Sequence, residues 1–378
     1  MKIETILAHA GLCSDETTGA VSTPIYQTAT FRHPALGEST GYDYSRTVNP
    51  TRKAFEDVMA ELEKGRQGFA FASGMAAITT ILLLFTSGDH LVVSDDLYGG
   101  TYRIFEKNFR QFGLTVSYVD TGDCQAVERA IIPGKTKALF VETPTNPLMK
   151  VTDLRQTVQL AKQYQLLTIV DNTFMTPYFQ RPLEIGADLV VHSGTKYLGG
   201  HNDVLSGVVV ARTAELSERM KFVQNSTGAV LGPQDSWLML RGLKTLSIRM
   251  VKQQENAQRI AEWLCRQPQV TAVYYPGLKD HPGHTIQAAQ GSGFGAMLSF
   301  RVGDPALVPR VINRVRVLTY AESLGGVETL ITFPVRQTHA DIPAEVRRRI
   351  GVTEDLLRLS VGIEDVTDLI ADLEQALS

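Results

Sequence analysis

The sequence predicts an α/β protein: a large domain built on a seven-stranded, mostly parallel sheet, followed by a smaller α+β domain. Seven short, apolar, β-rich runs lie between residues 68 and 211, separated by helix-period segments. That alternation is the pattern of helices crossing over a parallel sheet. After Arg241 it gives way to one long amphipathic helix and then to strands set off by Gly and Pro, as in an α+β unit. At 378 residues the chain also exceeds the length at which a single core stops growing, roughly 250–300 residues.

Taken in chain order, residues 1–45 are rich in Thr, Gly and Pro and weakly periodic, so they read as an extended arm and not as a third domain. Residues 46–244 form the large domain. Its strands are expected at GFAFAS (68–73), HLVVSD (90–95), TVSYVD (115–120), KALFVET (137–143), LLTIVDN (166–172), DLVVHS (188–193) and LSGVVVA (205–211). Helical spacing covers 73–85, 99–112, 124–131 and 153–164. Residues 245–378 form the smaller domain: a helix over 246–266, strands near 270–277, 295–302, 318–323, 328–334 and 356–363, and a terminal helix over 364–377. No internal repeat or low-complexity tract interrupts this order.

Composition narrows the function. With 43% hydrophobic residues, 20% charged residues and a net charge of -3, the chain reads as an ordinary globular protein with no basic excess for nucleic acid or an anionic membrane. Cys13, Cys124 and Cys265 form no CxxC or CxxH cluster, so no metal site and a reduced compartment are expected. The first residues lack a secretory apolar region, and the most apolar stretch, 78–85, is too short to span a bilayer. A cytoplasmic location is the expectation.

In α/β sheets, chemistry collects at the carboxyl ends of strands. DLVVHSGTKYLGGH puts Lys196 just past such an end, beside Ser193 and Thr195. Desolvated there, its amine becomes a nucleophile able to form a Schiff base; a solvated loop lysine is the competing reading. Asp171 closes the preceding strand, and neighbouring strands bring the two groups to one cleft. A carboxylate that keeps a pyridinium nitrogen protonated and a lysine that binds an aldehyde are the two groups pyridoxal-phosphate (PLP) chemistry most needs. A turn-capping role is the alternative for Asp171.

Ser73, Gly74 and Met75 turn from strand to helix, leaving amide groups free for a phosphate or, equally, making a simple capping turn. Tyr98 stands at the next strand end, either to stack on a ring or to fill the core. Ser193 to Lys196 also match the S-x-x-K of penicillin-recognising serine enzymes. The accompanying S-D-N and K-T-G elements do not occur, and the Ser follows a strand instead of opening a helix.

Nine segments, in order, resemble the Cys/Met-metabolism family of fold-type I PLP enzymes, which includes cystathionine γ-synthases, cystathionine lyases and O-acylhomoserine sulfhydrylases. They are YDYSRTVNPTR (42–52), FASGMAA (71–77), DDLYGGTYR (95–103), VETPTNP (141–147), VDNTF (170–174), HSGTKYLGGHND (192–203), AESLGGVET (321–329), QTHADIP (337–343) and LLRLSVGIED (356–365). The resemblance implies that Lys196 carries the cofactor, Asp171 partners its pyridinium, Tyr98 stacks on it, and Gly74, Met75, Ser193 and Thr195 cradle the phosphate. It implies further that Tyr44 and Arg46 reach the phosphate of a neighbouring subunit, in a homotetramer built from active dimers. Arg358, assisted by Ser323 and Asn146, is the expected binder of the substrate α-carboxylate. Arg103 is similar to a residue near the distal end of the substrate; an ordinary helix pair with Glu106 is its alternative.

Within the family the reactions diverge after removal of the α-proton. Asp43 and Glu322 resemble the acids of γ-synthases and γ-lyases, where many β-lyases have an uncharged or aromatic residue at the Glu322 position; solvated surface acids are the competing reading. GESTGYDYSRTVNPTR with TFPVRQTHADIP is more similar to γ-synthases acting on O-acylhomoserines, with Gln337 where lyases more often have Met. Amino-acid substrates and γ-replacement are therefore expected first, with γ-elimination and sulfhydrylation as alternatives. A PLP-binding protein without catalysis would have lost Lys196, Asp171 or Arg358, and all three are present.

Overall fold

A computed structural model describes residues 1–12, 15 and 17–378; Cys13 lies outside the described residues. All seven apolar runs become strands of one sheet: β1 (Gln67–Phe71), β2 (His90–Ser94), β3 (Thr115–Val119), β4 (Thr136–Glu142), β5 (Leu167–Asp171), β6 (Leu189–Ser193) and β7 (Gly207–Ala211), in the order β1-β7-β6-β5-β4-β2-β3. Every pairing from β6 across to β3 is parallel, while β7 runs against both its neighbours. Since β1 and β6 are each antiparallel to β7, they point the same way. All strands except β7 thus end on one edge of the sheet.

Both faces are covered, which is why the strands read as continuous apolar runs and not as alternating ones. On β7, Val208 and Val210 face one hydrophobic cluster and Val209 and Ala211 the other. The helix Leu246–Leu264 buries Leu246, Met250, Ala257, Ile260 and Leu264. The cluster it joins continues onto a second sheet through Leu298, Phe300, Leu357 and Leu359. That sheet comprises β8 (Val270–Tyr274), β9 (Met297–Val302), β10 (Thr319–Tyr320), β11 (Leu330–Thr332) and β12 (Leu356–Ser360), ordered β10-β11-β12-β9-β8. Arg358 sits in the middle strand, opposite Thr332 on β11 and Ser299 on β9.

Two expected segments take another form, and helices Pro50–Glu63, Ala214–Thr227 and Pro233–Leu243 are not among those expected. The arm begins with a helix, Ile3–Ala8, because Ile6 and Leu7 fall on one face and are buried against the main core. Beyond it the chain is irregular, held by single bridges Leu12↔Ser22 and Thr30↔Tyr44. Residues 99–112 are not one α-helix: α-helix Gly99–Arg103 widens to a π-helix, Ile104–Asn108, then tightens to a 3₁₀ turn, Phe109–Phe112. Phe105 and Phe109 are both buried in the cluster on one face of the large sheet. Among the described residues, no helix is long and apolar enough to cross a membrane and no cluster of three or more His, Cys, Asp or Glu could hold a metal ion.

Candidate active site

The carboxyl edge of the large sheet faces the second sheet across a cavity of about 530 Å³. Lys196 enters it three residues beyond the end of β6. Its Nζ donates to Ser323 Oγ at 2.7 Å. Burial, reinforced by the Arg358 charge, lowers its pKa from 10.5 to about 8. Ser323 holds a left-handed φ of 87°, a conformation that side chains avoid unless their surroundings impose it. That backbone turns the Ser323 hydroxyl toward Lys196 and its carbonyl toward Arg358, whose Nη2 donates to it at 3.0 Å.

Arg358 is fully buried, yet neutral acceptors hold it. Nη1 donates to Asn146 Oδ1 at 2.8 Å, Nη2 also donates to Thr332 Oγ1 at 3.1 Å, and Nε finds no partner among the described residues. Burial brings its pKa down to about 10. A buried guanidinium answered by amide, hydroxyl and carbonyl oxygens is ready for an incoming anion. Asn146 is itself fixed by His339, whose Nε2 donates to the Asn146 carbonyl at 3.0 Å.

Two carboxylates end adjacent strands in register, Glu142 on β4 and Asp171 on β5. Thr173 donates to Asp171 Oδ1 through its amide at 3.0 Å and its hydroxyl at 2.6 Å, and Tyr98 N donates to Glu142 Oε2 at 3.0 Å. Burial raises both pKa values, and Asp171 raises Glu142 further. Two buried acids answered by neutral donors favour a cation between them and solvent. Ser73 caps the helix Gly74–Leu82 by accepting from Ala76 N at 3.1 Å, so the amides of Gly74 and Met75 open toward the cavity. The helix start packs closely on β6 here: a Cβ added at Gly74 would lie 3.1 Å from Ser193, which would have to shift by a few tenths of an ångström. Thr195 is tied to β7 by its hydroxyl, which accepts from Ser206 N at 3.0 Å.

The cavity therefore gathers Lys196, Asp171, Tyr98, Gly74, Met75, Ser193, Thr195, Asn146, Ser323, Arg358, Arg103 and Glu322. Tyr98 is 42% exposed, so it is not a core ring. Arg103 does not pair with Glu106; it pairs with Asp341 at 2.5 Å, while Glu106 takes Arg110. Asp43, Tyr44 and Arg46 do not line the cavity of their own chain. Asp43 accepts from Ser39 Oγ at 2.6 Å and lies 3.5 Å from His33 Nε2, and Arg46 donates to the Asn225 carbonyl with its guanidinium 5.6 Å above the Tyr44 ring. Sequence reasoning missed Glu142, Thr173 and Asp341. The strand-end rule that singles out Asp171 applies equally to Glu142 at the end of KALFVE, whereas nothing local marks Asp341.

The family model for Cys/Met metabolism PLP-dependent enzymes matches residues 4–378. The chain belongs to that family. It is 54% identical over 377 residues to cystathionine gamma-lyase of Bacillus subtilis (strain 168), covering 100% of this chain and 99% of that protein. It is 50% identical over 375 residues to cystathionine beta-lyase of Lactococcus lactis subsp. cremoris (strain MG1363), covering 99% and 98%. A solved cystathionine gamma synthase of Xanthomonas oryzae pv. oryzae, in complex with cystathionine, superposes with a TM-score of 0.97 at 43% identity, covering 100% of this chain and 98% of that one. The fold is that of fold-type I PLP enzymes, and the cofactor is PLP. The residues fit it: a desolvated amine, paired buried acids for a ring cation, and free helix-end amides for a phosphate.

Proposed function

We propose that this transsulfuration enzyme catalyses γ-replacement on an O-acyl-L-homoserine, forming a bond between its γ-carbon and the sulfur of L-cysteine and releasing the acyl carboxylate, to give L-cystathionine. The observation that carries this reading is the position of Glu322: a carboxylate lines the cavity next to Ser323, near enough to Lys196 to offset part of the lowering of its pKa by burial and Arg358. A fixed negative charge there suits the ammonium of a second amino acid.

Bound PLP supplies an aldehyde for amines and a ring that withdraws electrons from Cα. The rest falls to this chain's side chains. Arg358 takes the α-carboxylate, with Asn146 and Ser323 holding the guanidinium in place. Lys196, titrating near 8, takes the α-proton and is aimed by Ser323 Oγ. Asp171 keeps the ring nitrogen protonated, its Oδ1 fixed by Thr173. Tyr98 would pack against the ring, and Gly74, Met75, Ser193 and Thr195 would hold the phosphate. Tyr44 and Arg46 serve a neighbouring chain's phosphate, and Asp43 reaches that neighbour's cavity mouth, within a homotetramer of active dimers in the cytoplasm.

A second reading, γ-elimination of cystathionine, is favoured by the 54% identity to the B. subtilis gamma-lyase. Initial rates with O-acetylhomoserine plus cysteine, O-acetylhomoserine plus sulfide, and cystathionine alone separate the readings. Cystathionine formation should be fastest; cleavage of cystathionine that outpaces it would replace synthase by lyase.

A further inference from the structure

Arg103 belongs to the helix that follows Tyr98, and Asp341 to the loop that leads from the second sheet into the helix Ala344–Ile350. Both line the cavity, both are about half exposed, and Arg103 Nη1 donates to Asp341 Oδ2 at 2.5 Å. The loop carrying Asp341 is fastened beneath. Arg347 Nη1 donates to the Ile342 carbonyl at 2.7 Å and His339 donates to Asn146. Asp341 is thus held at the mouth, and no other ion pair engages it among the described residues.

The charges at this mouth can be counted. Within this chain Arg103 contributes one positive charge and Asp341 with Glu322 two negative ones, and the neighbour's Asp43, proposed to reach the same mouth, adds to the acids. A distal group that is a lone carboxylate meets an Arg103 whose charge is already answered by Asp341, and it brings no cation for Asp341 to meet. A zwitterion answers both signs, with its carboxylate on Arg103 and its ammonium on the acids. A neutral ester tail disturbs neither. We infer that the Arg103–Asp341 pair selects the acyl donor, turning away O-acyl groups that end in a carboxylate, such as succinyl, and admitting neutral ones, such as acetyl. Asp341 is then the specificity-determining residue. This rests on the γ-replacement reading for the identity of the donor, but not for the charge preference of the mouth.

The test separates the two. L-2-aminopimelate, with a distal carboxylate, and L-2-aminoheptanoate, with none, have no leaving group and bind without turnover. Titration calorimetry on the PLP-loaded protein gives their affinity ratio in wild type, Asp341→Asn and Asp341→Glu. Asp341→Asn should shift the ratio toward aminopimelate by about 5-fold, the scale of a half-exposed ion pair, while Asp341→Glu keeps the wild-type ratio. The kcat/KM ratio for O-succinyl- over O-acetylhomoserine should move the same way. A binding ratio unchanged in Asp341→Asn overturns the inference. Loss of turnover with both donors in wild type, with the binding shift intact, overturns the γ-replacement reading and leaves the mouth's selectivity standing.

Discussion

Lys196 is a buried amine, and without PLP its charge burdens the fold. Its pKa falls from 10.5 to about 8 in the folded chain. Between those values the unfolded chain holds a proton that the folded chain has lost, so stability rises with pH across the window and the penalty is full below 8. Replacing the amine should relieve it: in the apo-protein, Lys196→Met should be more stable at pH 7, by at most about 3 kcal/mol. The gap should close as pH rises through 8 toward 10.5. Urea unfolding of both proteins across that range checks this, and a gap independent of pH would assign the difference to packing. At this scale the sequence was informative at two strand ends, where Asp171 closes β5 and Lys196 follows β6, while Glu142 at the equivalent end of β4 went unmarked. It was silent where a partner came from afar: Asp341 meets Arg103 across 238 positions, and no local pattern encodes such a contact.

Strands, helices and caps are held by a few polar side chains as well as by the core. Asp372, on the terminal helix Val366–Leu377, accepts from the backbone N–H groups of Arg316, Val317 and Leu318 at 2.7 to 2.9 Å. Burial pushes this carboxyl up, but those amides outweigh it and hold its pKa below the ordinary 3.8. One side chain therefore moors the last helix to the segment entering β10. Asp372→Asn keeps the shape but offers a single acceptor oxygen, stranding buried donors at a cost of about 1–3 kcal/mol. Chemical denaturation at pH 7 should read this loss. The advantage of the wild type should fade as pH drops below 3.8 and through the lowered pKa, where the carboxyl protonates. The strands and the two long helices of the smaller unit were legible because their apolar periods are regular. The π-helical Ile104–Asn108 and the opening helix Ile3–Ala8 were not, since the first needs the sheet beneath Phe109 and the second needs a core already in place.

For the whole molecule, the proposal that Tyr44 and Arg46 act on a neighbour makes the assembly itself testable. Arg46→Ala should weaken PLP retention and leave its own chain folded, and Lys196→Ala should bind PLP but lose turnover by several orders of magnitude. Mixed chains that exchange partners should regain part of the wild-type rate, because some sites then hold both intact groups. A mixture no more active than its parents, with exchange shown by mass, would refute sharing. The sheet order carries a different consequence, one of timing. Within the large sheet β1 pairs with β7, their register joining residues 67–71 to 207–211, and its only other bridge among the described residues, Phe71↔Val230, comes later still in the chain. A chain emerging from the ribosome must therefore hold the turn at Ser73–Met75, the proposed phosphate cradle, beside an unpaired edge of β1 until more than half of the protein has been synthesised. The vitamin-derived cofactor can be captured only after that late strand arrives, so the nascent enzyme waits for β7 before it can be loaded.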